Sequence, residues 1–201
     1  MSHQLRKLGW LLGLAFFVVT EWAVAAAGNA ETYVRGKQGD LMALLEQPKS
    51  ASREDKISGI MDQVFDYDEL AKRSLGDEWN ARSDSEKQDF QHLLERLVKQ
   101  SYRKNLGKTN GWDITYSPTT KVDGGVRVPT VARHKTDKRK EPVSIDYLLH
   151  ELKGQWKVYD IVVEGSSLVG NYNSQFRKII RKQGFGELIT RMKRRVQKGG
   201  D

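Results

Sequence analysis

The chain has 201 residues, contains no cysteine and carries a formal net charge of +8. The absence of cysteine excludes a disulfide framework, a cysteine nucleophile and a thiolate metal site, so stability must come from an apolar core. The positive charge favours an anionic partner, such as a membrane surface, an acidic protein face or a nucleic acid.

Residues 1–27 have the pattern of a signal peptide. The basic pair Arg6 and Lys7 precedes an apolar run of about twelve residues, which is too short to span a bilayer, and small residues follow it. We expect cleavage after Ala25 or Ala27, with an uncleaved anchor as the alternative. Export makes nucleic acid the least suitable anionic partner. An exported domain without disulfides favours a bacterial periplasm.

Residues 28–201 are predicted to form one domain whose first part is helical. Residues 31–107 repeat apolar side chains at the three- and four-residue spacing of helices. Asp66 and Ser83 are predicted to cap two of these helices, because a glutamate follows each at the third position.

The period changes to two across residues 112–163, which indicates strands joined by short turns. Four strands are predicted, at Trp112–Ser117, Arg127–Ala132, Pro142–Leu149 and Trp156–Val163. Consecutive strands with short connections form an antiparallel meander. Helices are predicted again across residues 167–197. The predicted fold class is therefore α+β, a four-stranded twisted antiparallel sheet packed by N-terminal and C-terminal helices.

The four histidines do not indicate a metal site. His3 falls in the predicted signal peptide and His134 in a basic turn, while His92 and His150 have no ligand at metal-binding spacing. We therefore expect surface histidines and no metal or other cofactor. The chain also has no phosphate-binding glycine loop and no Gly-x-Ser-x-Gly nucleophile motif.

Acid–base catalysis has two candidate pairs, Asp146 with Tyr147 and Tyr159 with Asp160. Neighbouring strand residues point to opposite faces, so neither pair meets in one pocket unaided. Asp160 is predicted on a buried face, where we expect an ion pair with Arg or Lys in preference to catalysis. An exported isomerase or cyclase remains the alternative, and it requires one of these carboxylates beside a tyrosine across a pocket.

The strand Trp156–Val163 carries large apolar side chains on both faces, with Val158 and Val162 predicted on one face and Tyr159, Ile161 and Val163 on the other. One face can pack against helices, and the other needs a second cover or a lipid guest. An ordinary two-layer core also explains either face. A third hypothesis is a basic adaptor with only a packed core, which would use Arg194 and Arg195 to bind an acidic protein face.

The run from Trp156 to Leu168 reads WKVYDIVVEGSSL and is followed by Asn171, Tyr172, Gln175 and Phe176. It resembles the MlaC family of periplasmic phospholipid-binding proteins, also called the toluene-tolerance auxiliary family. Further agreement with this family is found at Phe65, Asp66, Tyr67, Ala71, Leu75, Gly76, Trp79, Phe90, Leu94, Tyr102, Asp146 and Tyr147. Ser166 and Asn173 depart from the residues usual in the family.

The resemblance implies a fold distantly similar to nuclear-transport-factor-like domains, with an apolar cavity between sheet and helices. It implies a periplasmic phospholipid carrier that is not an enzyme, with phospholipid as cargo and no cofactor. The expected partners are an inner-membrane ABC transporter with an MCE-domain ring and an outer-membrane lipoprotein complex. Transient contact with a membrane surface is also expected, and contact with nucleic acid is not.

The same resemblance suggests which side chains surround the acyl chains. We expect a pocket between the strands, the long central helix and a lid formed by the helix that follows the Gly-Ser joint. The residues expected to line it are Tyr116, Val128, Ile145, Tyr147, Leu149, Tyr159, Ile161, Val163, Leu168, Val169, Tyr172, Phe176, Leu97 and Tyr102.

Overall fold

The computed structural model describes residues 21–106 and 111–199, without the side chains of residues 21–29 and 106. Most of the predicted signal peptide, residues 1–27, lies outside the described residues. Residue 107, the predicted end of the first helical part, also lies outside them. No helix within the described ranges is long and apolar enough to cross a membrane.

The first part of the described chain is helical, as predicted. Its helices are α1 (Glu21–Leu45), α2 (Ala51–Val64), α3 (Tyr67–Leu75) and α4 (Asp84–Leu106), with one 3-10 turn at Gly76–Trp79. Both predicted caps are confirmed. The Asp66 carboxylate accepts the Glu69 N–H at 2.9 Å. The Ser83 hydroxyl accepts the Glu86 N–H at 3.2 Å, while the Glu86 carboxylate accepts the Ser83 N–H at 2.9 Å.

The second part forms one antiparallel sheet. Its strands are β1 (Trp112–Tyr116), β2 (Thr120–Val122), β3 (Gly125–His134), β4 (Val143–Leu152), β5 (Gln155–Val163) and β6 (Ser166–Ser167). The order is β1-β3-β4-β5-β6, with β2 also paired to β3. The four predicted strands correspond to β1, β3, β4 and β5. The prediction missed β2 and β6 because three and two residues are too short to show a period of two.

Two helices follow the sheet, α5 (Leu168–Gln183) and α6 (Phe185–Lys198). Their apolar sides join an aromatic cluster at the centre of the helical layer. The Phe90 ring of α4 lies 5.5 Å from the Phe176 ring and 6.3 Å from the Phe185 ring, and Tyr172 stacks on Phe176 at 5.2 Å between centroids. The α+β prediction is therefore confirmed, with helices from both ends of the chain packed on one sheet.

A β-bulge changes the alternation of side chains along β5. Tyr147 pairs with Ile161 and Leu149 pairs with Val158, so the register shifts by one residue at Tyr159. Directly paired residues share a face of the sheet, so Val158 and Ile161 lie on the same face as Leu149 and Tyr147. Strict alternation would have placed Tyr159 on that face in place of Val158. The prediction that Tyr159, Ile161 and Val163 share one face is therefore wrong for Tyr159.

Candidate functional site

A cavity of about 310 Å³ lies between one face of the sheet and helices α1, α4 and the start of α5. Most of its lining side chains are aliphatic or aromatic, and no charged side chain is among the lining residues that the structure describes. The lining residues are Gln38, Met42, Phe65, Val98, Ser101, Tyr102, Asn105, Trp112, Ile114, Ala132, Ile145, Tyr147, Ile161, Val163, Ser166, Leu168 and Asn171.

The sheet side of the cavity follows from strand register. Ile145 pairs with Val163 and Tyr147 with Ile161, so these four side chains stand together on one face of β4 and β5. On β3 and β1, Ala132 and Ile114 are likewise paired and both line the cavity. The alternation of each strand thus sends every second side chain into one apolar wall.

The helical side is formed mainly by α4. Val98, Ser101, Tyr102 and Asn105 follow the three- and four-residue spacing of one helix face. Along this helix the cavity lining changes from apolar to polar, because Val98 is buried whereas Ser101 and Asn105 are exposed. The cavity therefore runs from an apolar interior to a polar rim along this helix.

Two tyrosines contribute polar atoms to the cavity lining. Burial raises the pKa of Tyr102 to about 12, and the nearby Tyr116 adds to that rise. Burial likewise raises the pKa of Tyr147 far above its ordinary value, with smaller contributions from Tyr102 and Tyr116. Both phenols are therefore neutral near pH 7, so the cavity presents hydroxyl groups and no charge to a ligand.

The mouth of the cavity lies at the joint between β5, β6 and α5. Val163, Ser166 and Asn171 line the cavity and are exposed to solvent. Val163 retains 42% of its surface exposed and is one of two exposed large hydrophobic residues among those described. At this joint the otherwise polar rim thus includes one exposed apolar side chain.

Asp160 fixes the joint through hydrogen bonds. Its carboxylate accepts the Ser167 hydroxyl at 2.5 Å and the backbone N–H groups of Val169 at 3.0 Å and Ile161 at 2.8 Å. The Ser167 hydroxyl in turn accepts the Gly170 N–H at 2.8 Å as the N-cap of α5. The expected ion pair with Arg or Lys is wrong, because a hydroxyl and two backbone donors satisfy this carboxylate.

The two positions that depart from the family pattern lie beside the joint. Ser166 lines the cavity mouth. The Asn173 side-chain amide donates to the Ser74 carbonyl at 3.3 Å, close to the C-terminal end of α3. Asn173 therefore connects α5 to α3 rather than facing the cavity.

The structure brings six of the fourteen predicted site residues together around the cavity, and the other eight lie elsewhere. The six that line it are Tyr102, Ile145, Tyr147, Ile161, Val163 and Leu168. The eight that do not are Leu97, Tyr116, Val128, Leu149, Tyr159, Val169, Tyr172 and Phe176.

Most of the eight residues outside the lining belong to the packed core. Leu97, Val128 and Leu149 are buried within it. Tyr172 and Phe176 belong to the aromatic cluster with Phe90, so only the first turn of α5 reaches the cavity.

The other three do not line the cavity and are held by contacts of other kinds. Because of the bulge, the Tyr159 ring contacts His150 and the Arg73 guanidinium, the latter 4.2 Å from its centroid. The Tyr116 hydroxyl donates to the Gln38 carboxamide, and Val169 donates its N–H to Asp160.

Sequence reasoning missed the contributions of α1 and of the edge strand. Gln38 and Met42 lie one helical turn apart on α1, and Trp112 and Ile114 alternate on β1. The strand alternation at Trp112 was a usable signal, since it places both side chains on one face. Nothing in the pattern of α1 distinguishes a cavity side chain from a core side chain.

The residues considered for acid–base and metal chemistry lie apart from the cavity. Asp146 is 3.7 Å from Arg127, and neither it nor Asp160 is among the lining residues. His150, expected at the surface, is partly buried and bonds the Asp66 carboxylate at 2.8 Å. The described residues contain no group of three or more His, Asp or Glu side chains arranged to hold a metal ion.

The chain is similar to known proteins over most of its length. Toluene tolerance protein ttg2D of Pseudomonas putida is 29% identical over 149 residues, which cover 73% of this chain and 68% of that protein. A solved phospholipid-binding protein from Ralstonia solanacearum, in complex with a phospholipid, shares the fold. It has a TM-score of 0.71 at 22% identity and covers 88% of this chain and 99% of its own. The family model described as MlaC protein matches residues 37–194, so the chain belongs to the MlaC family.

Proposed function

We propose that this protein is a phospholipid carrier that encloses acyl chains in the cavity between the sheet and α4. The observation behind the proposal is the uncharged, largely apolar lining with an opening at Val163, Ser166 and Asn171. Burying hydrocarbon is worth roughly 0.8 kcal/mol per methylene, so such a lining retains an acyl chain without specific polar contacts. The head group stays in water at the polar rim.

The MlaC family membership and the phospholipid in the Ralstonia solanacearum structure support this proposal. The volume of about 310 Å³ lies within the range of roughly 300–1,000 Å³ that is usual for ligand pockets. The cavity supplies solvation for the cargo and not reaction chemistry, since both candidate carboxylates lie outside its lining.

The proposal includes a place and a route for the carrier. We propose that the protein works in the periplasm and passes phospholipid between an outer-membrane lipoprotein complex and an inner-membrane ABC transporter with an MCE-domain ring. The signal-peptide pattern of residues 1–27 supports the location, and the route is the one that membership of the MlaC family implies.

Extraction of the purified protein tests the proposal. We expect organic extraction of the denatured protein to release close to one phospholipid per chain, identified and counted by mass spectrometry. Protein refolded from denaturant after lipid removal is the control, and it should regain lipid only when phospholipid is supplied. Native protein that yields no phospholipid would contradict the proposal.

A further inference from the structure

The positive charge of the protein is concentrated on its last two helices. Residues 168–199 contain nine Lys and Arg side chains and one carboxylate, Glu187, and therefore carry a charge of +8. This equals the formal net charge of the whole chain, so all other residues together are close to neutral.

Seven of the nine cations, including all four of α5, form no ion pair with a carboxylate that the structure describes. Glu187 on α6 bonds Arg191 at 2.8 Å and Arg194 at 3.4 Å. In contrast, Arg177, Lys178, Arg181 and Lys182 of α5 form no ion pair with any carboxylate that the structure describes. We call these four exposed side chains the basic surface; with Asn173 and Ser174 they line an open cleft of about 410 Å³.

The two lysines of the basic surface lie on the same side of α5 as the cavity mouth. Lys178 and Lys182 follow Asn171 by seven and eleven residues, which places all three on one side of a helix. At about 1.5 Å per residue, Lys178 lies roughly 10 Å from Asn171 along the helix axis. A flat anionic surface that binds the lysines would therefore lie beside the mouth.

The remaining surface of α5 and α6 favours a membrane over other anionic partners. The aromatic side chains Tyr172, Phe176 and Phe185 are buried, and the only exposed large hydrophobic residues described are Leu152 and Val163. A protein interface needs apolar or aromatic anchors at its centre, and single-stranded nucleic acid needs stacking aromatics. Cations without such anchors match the diffuse attraction of lipid head groups. Val163 at the mouth then contacts the same bilayer.

We propose that the basic surface docks the protein on anionic phospholipid bilayers with the cavity mouth turned toward the lipid. The inference deepens the proposed function and rests on it, because docking at the mouth matters only for a protein that loads or releases lipid there. The attraction is electrostatic, so added salt weakens it.

Sedimentation with vesicles tests the docking. One set of vesicles contains phosphatidylcholine alone, and the other an equimolar mixture of phosphatidylcholine and phosphatidylglycerol. The test variant replaces the basic surface by glutamine, as Arg177→Gln, Lys178→Gln, Arg181→Gln and Lys182→Gln. The control removes the same charge from exposed lysines elsewhere, as Lys49→Gln, Lys56→Gln, Lys121→Gln and Lys153→Gln.

We expect the native protein to bind the mixed vesicles and not those of phosphatidylcholine alone. The test variant should bind the mixed vesicles at least about tenfold more weakly than the native protein, and the control variant should differ from it by only a small factor. Equal weakening of both variants would overturn the inference, because net charge and not this surface would then drive binding. Binding of the native protein to acidic proteins but not to the mixed vesicles would also overturn it.

The orientation of the protein on the bilayer can be measured separately. Because the chain has no cysteine, one introduced cysteine can be labelled specifically. A polarity-sensitive dye at Asn171→Cys should report an apolar environment when mixed vesicles are added. The control is Gln155→Cys at the other end of β5, roughly 26 Å from Val163 at about 3.3 Å per residue. A response at Gln155→Cys and none at Asn171→Cys would overturn the orientation.

Lipid extraction separates this inference from the function on which it rests. If the protein contains phospholipid but does not bind the mixed vesicles, the docking is refuted and the carrier function is not. Protein that lacks phospholipid refutes the carrier function, whatever the vesicles show.

Discussion

Two tyrosine hydroxyls set the electrostatics of the cavity. The pKa of Tyr102 is raised by burial to about 12, and burial also raises the pKa of Tyr147 well above its ordinary value. In the unfolded chain such a phenol ionises near its ordinary value of about 10. The folded protein therefore holds these protons more tightly than the unfolded chain does, and the pH dependence of stability should reveal it.

We predict that the free energy of unfolding falls as the pH rises above about 10. Between about pH 10 and about pH 12 the unfolded chain has lost the Tyr102 proton and the folded protein has kept it, so unfolding is increasingly favoured. Urea unfolding at about pH 8 and about pH 11 measures the loss, and Tyr102→Phe should reduce it.

The control for this prediction is Tyr33→Phe. The Tyr33 hydroxyl donates to the Gln63 carbonyl at 3.2 Å in an exposed position, so we expect a smaller reduction. Equal alkaline losses in the native protein and in Tyr102→Phe would contradict the burial of this phenol.

At the scale of residues, the environment of Asp160 could be predicted only in part from the sequence. Its position between apolar strand residues was enough to predict a buried carboxylate with a partner. The kind of partner was not predictable, because Ser167 and the Val169 N–H reach Asp160 only after the chain turns at Gly165, whose φ is 75°. Contacts made across a turn depend on its geometry, which residue spacing does not record.

At the scale of elements, the joint between β5 and α5 positions the cavity mouth. Ser167 both caps α5 and donates to Asp160, so one hydroxyl connects the helix start to the strand. Loss of an N-cap costs about 1 kcal/mol. Here the buried Asp160 would also lose a donor, which adds a cost of similar size.

We predict that Ser167→Ala lowers the stability of the protein by about 2 kcal/mol and speeds exchange of the α5 amide hydrogens. Because Leu168 and Asn171 line the cavity, the variant should also release its lipid faster. Urea unfolding, hydrogen exchange and transfer of lipid to acceptor vesicles measure the three effects.

The matched control is Ser50→Ala, because the Ser50 hydroxyl caps α2 by accepting the Arg53 N–H at 3.2 Å and does not line the cavity. It should cost about 1 kcal/mol and leave lipid release unchanged. Lipid release that changes equally in both variants would show that the joint has no special part in holding the cargo.

The bulge in β5 marks the limit of prediction for elements. The apolar pattern located this strand correctly, yet Val158, Tyr159 and Asp160 are buried one after another. A bulge adds one residue to one strand and leaves the sequence period around it unchanged. The existence of strands was therefore predictable, and the face of each side chain beyond the bulge was not.

At the scale of the whole molecule, the α+β architecture could be predicted from the sequence. The residues that line the cavity could not. Ile145 and Leu149 alternate on the same face of β4 with the same apolar character, yet Ile145 lines the cavity and Leu149 lies in the packed core. The difference comes from which helix covers each position. That information lies in the tertiary arrangement of α1 and α4. The resemblance to the MlaC family implied a cavity, but it did not distinguish Ile145 from Leu149.

The distribution of charge is also a property of the whole molecule. The exposed sides of α5 and α6 carry the net charge, while their buried sides complete the core around Phe90. The proposed membrane contact and the cavity mouth thus both involve α5.

The central claim is that phospholipid acyl chains occupy the cavity beside Ala132. The most direct measurement is the number of phospholipids extracted per chain from Ala132→Phe and from Val131→Phe. Ala132 lines the cavity, whereas its neighbour Val131 on β3 points to the other face of the sheet. Overpacking costs about 1–3 kcal/mol, so thermal unfolding should first confirm that both variants are folded.

We predict that Ala132→Phe retains only a small fraction of the phospholipid found in the native protein, because the added ring fills space that the acyl chains need. Val131→Phe should keep close to one phospholipid per chain. Folded Ala132→Phe with its full complement of phospholipid would contradict the account.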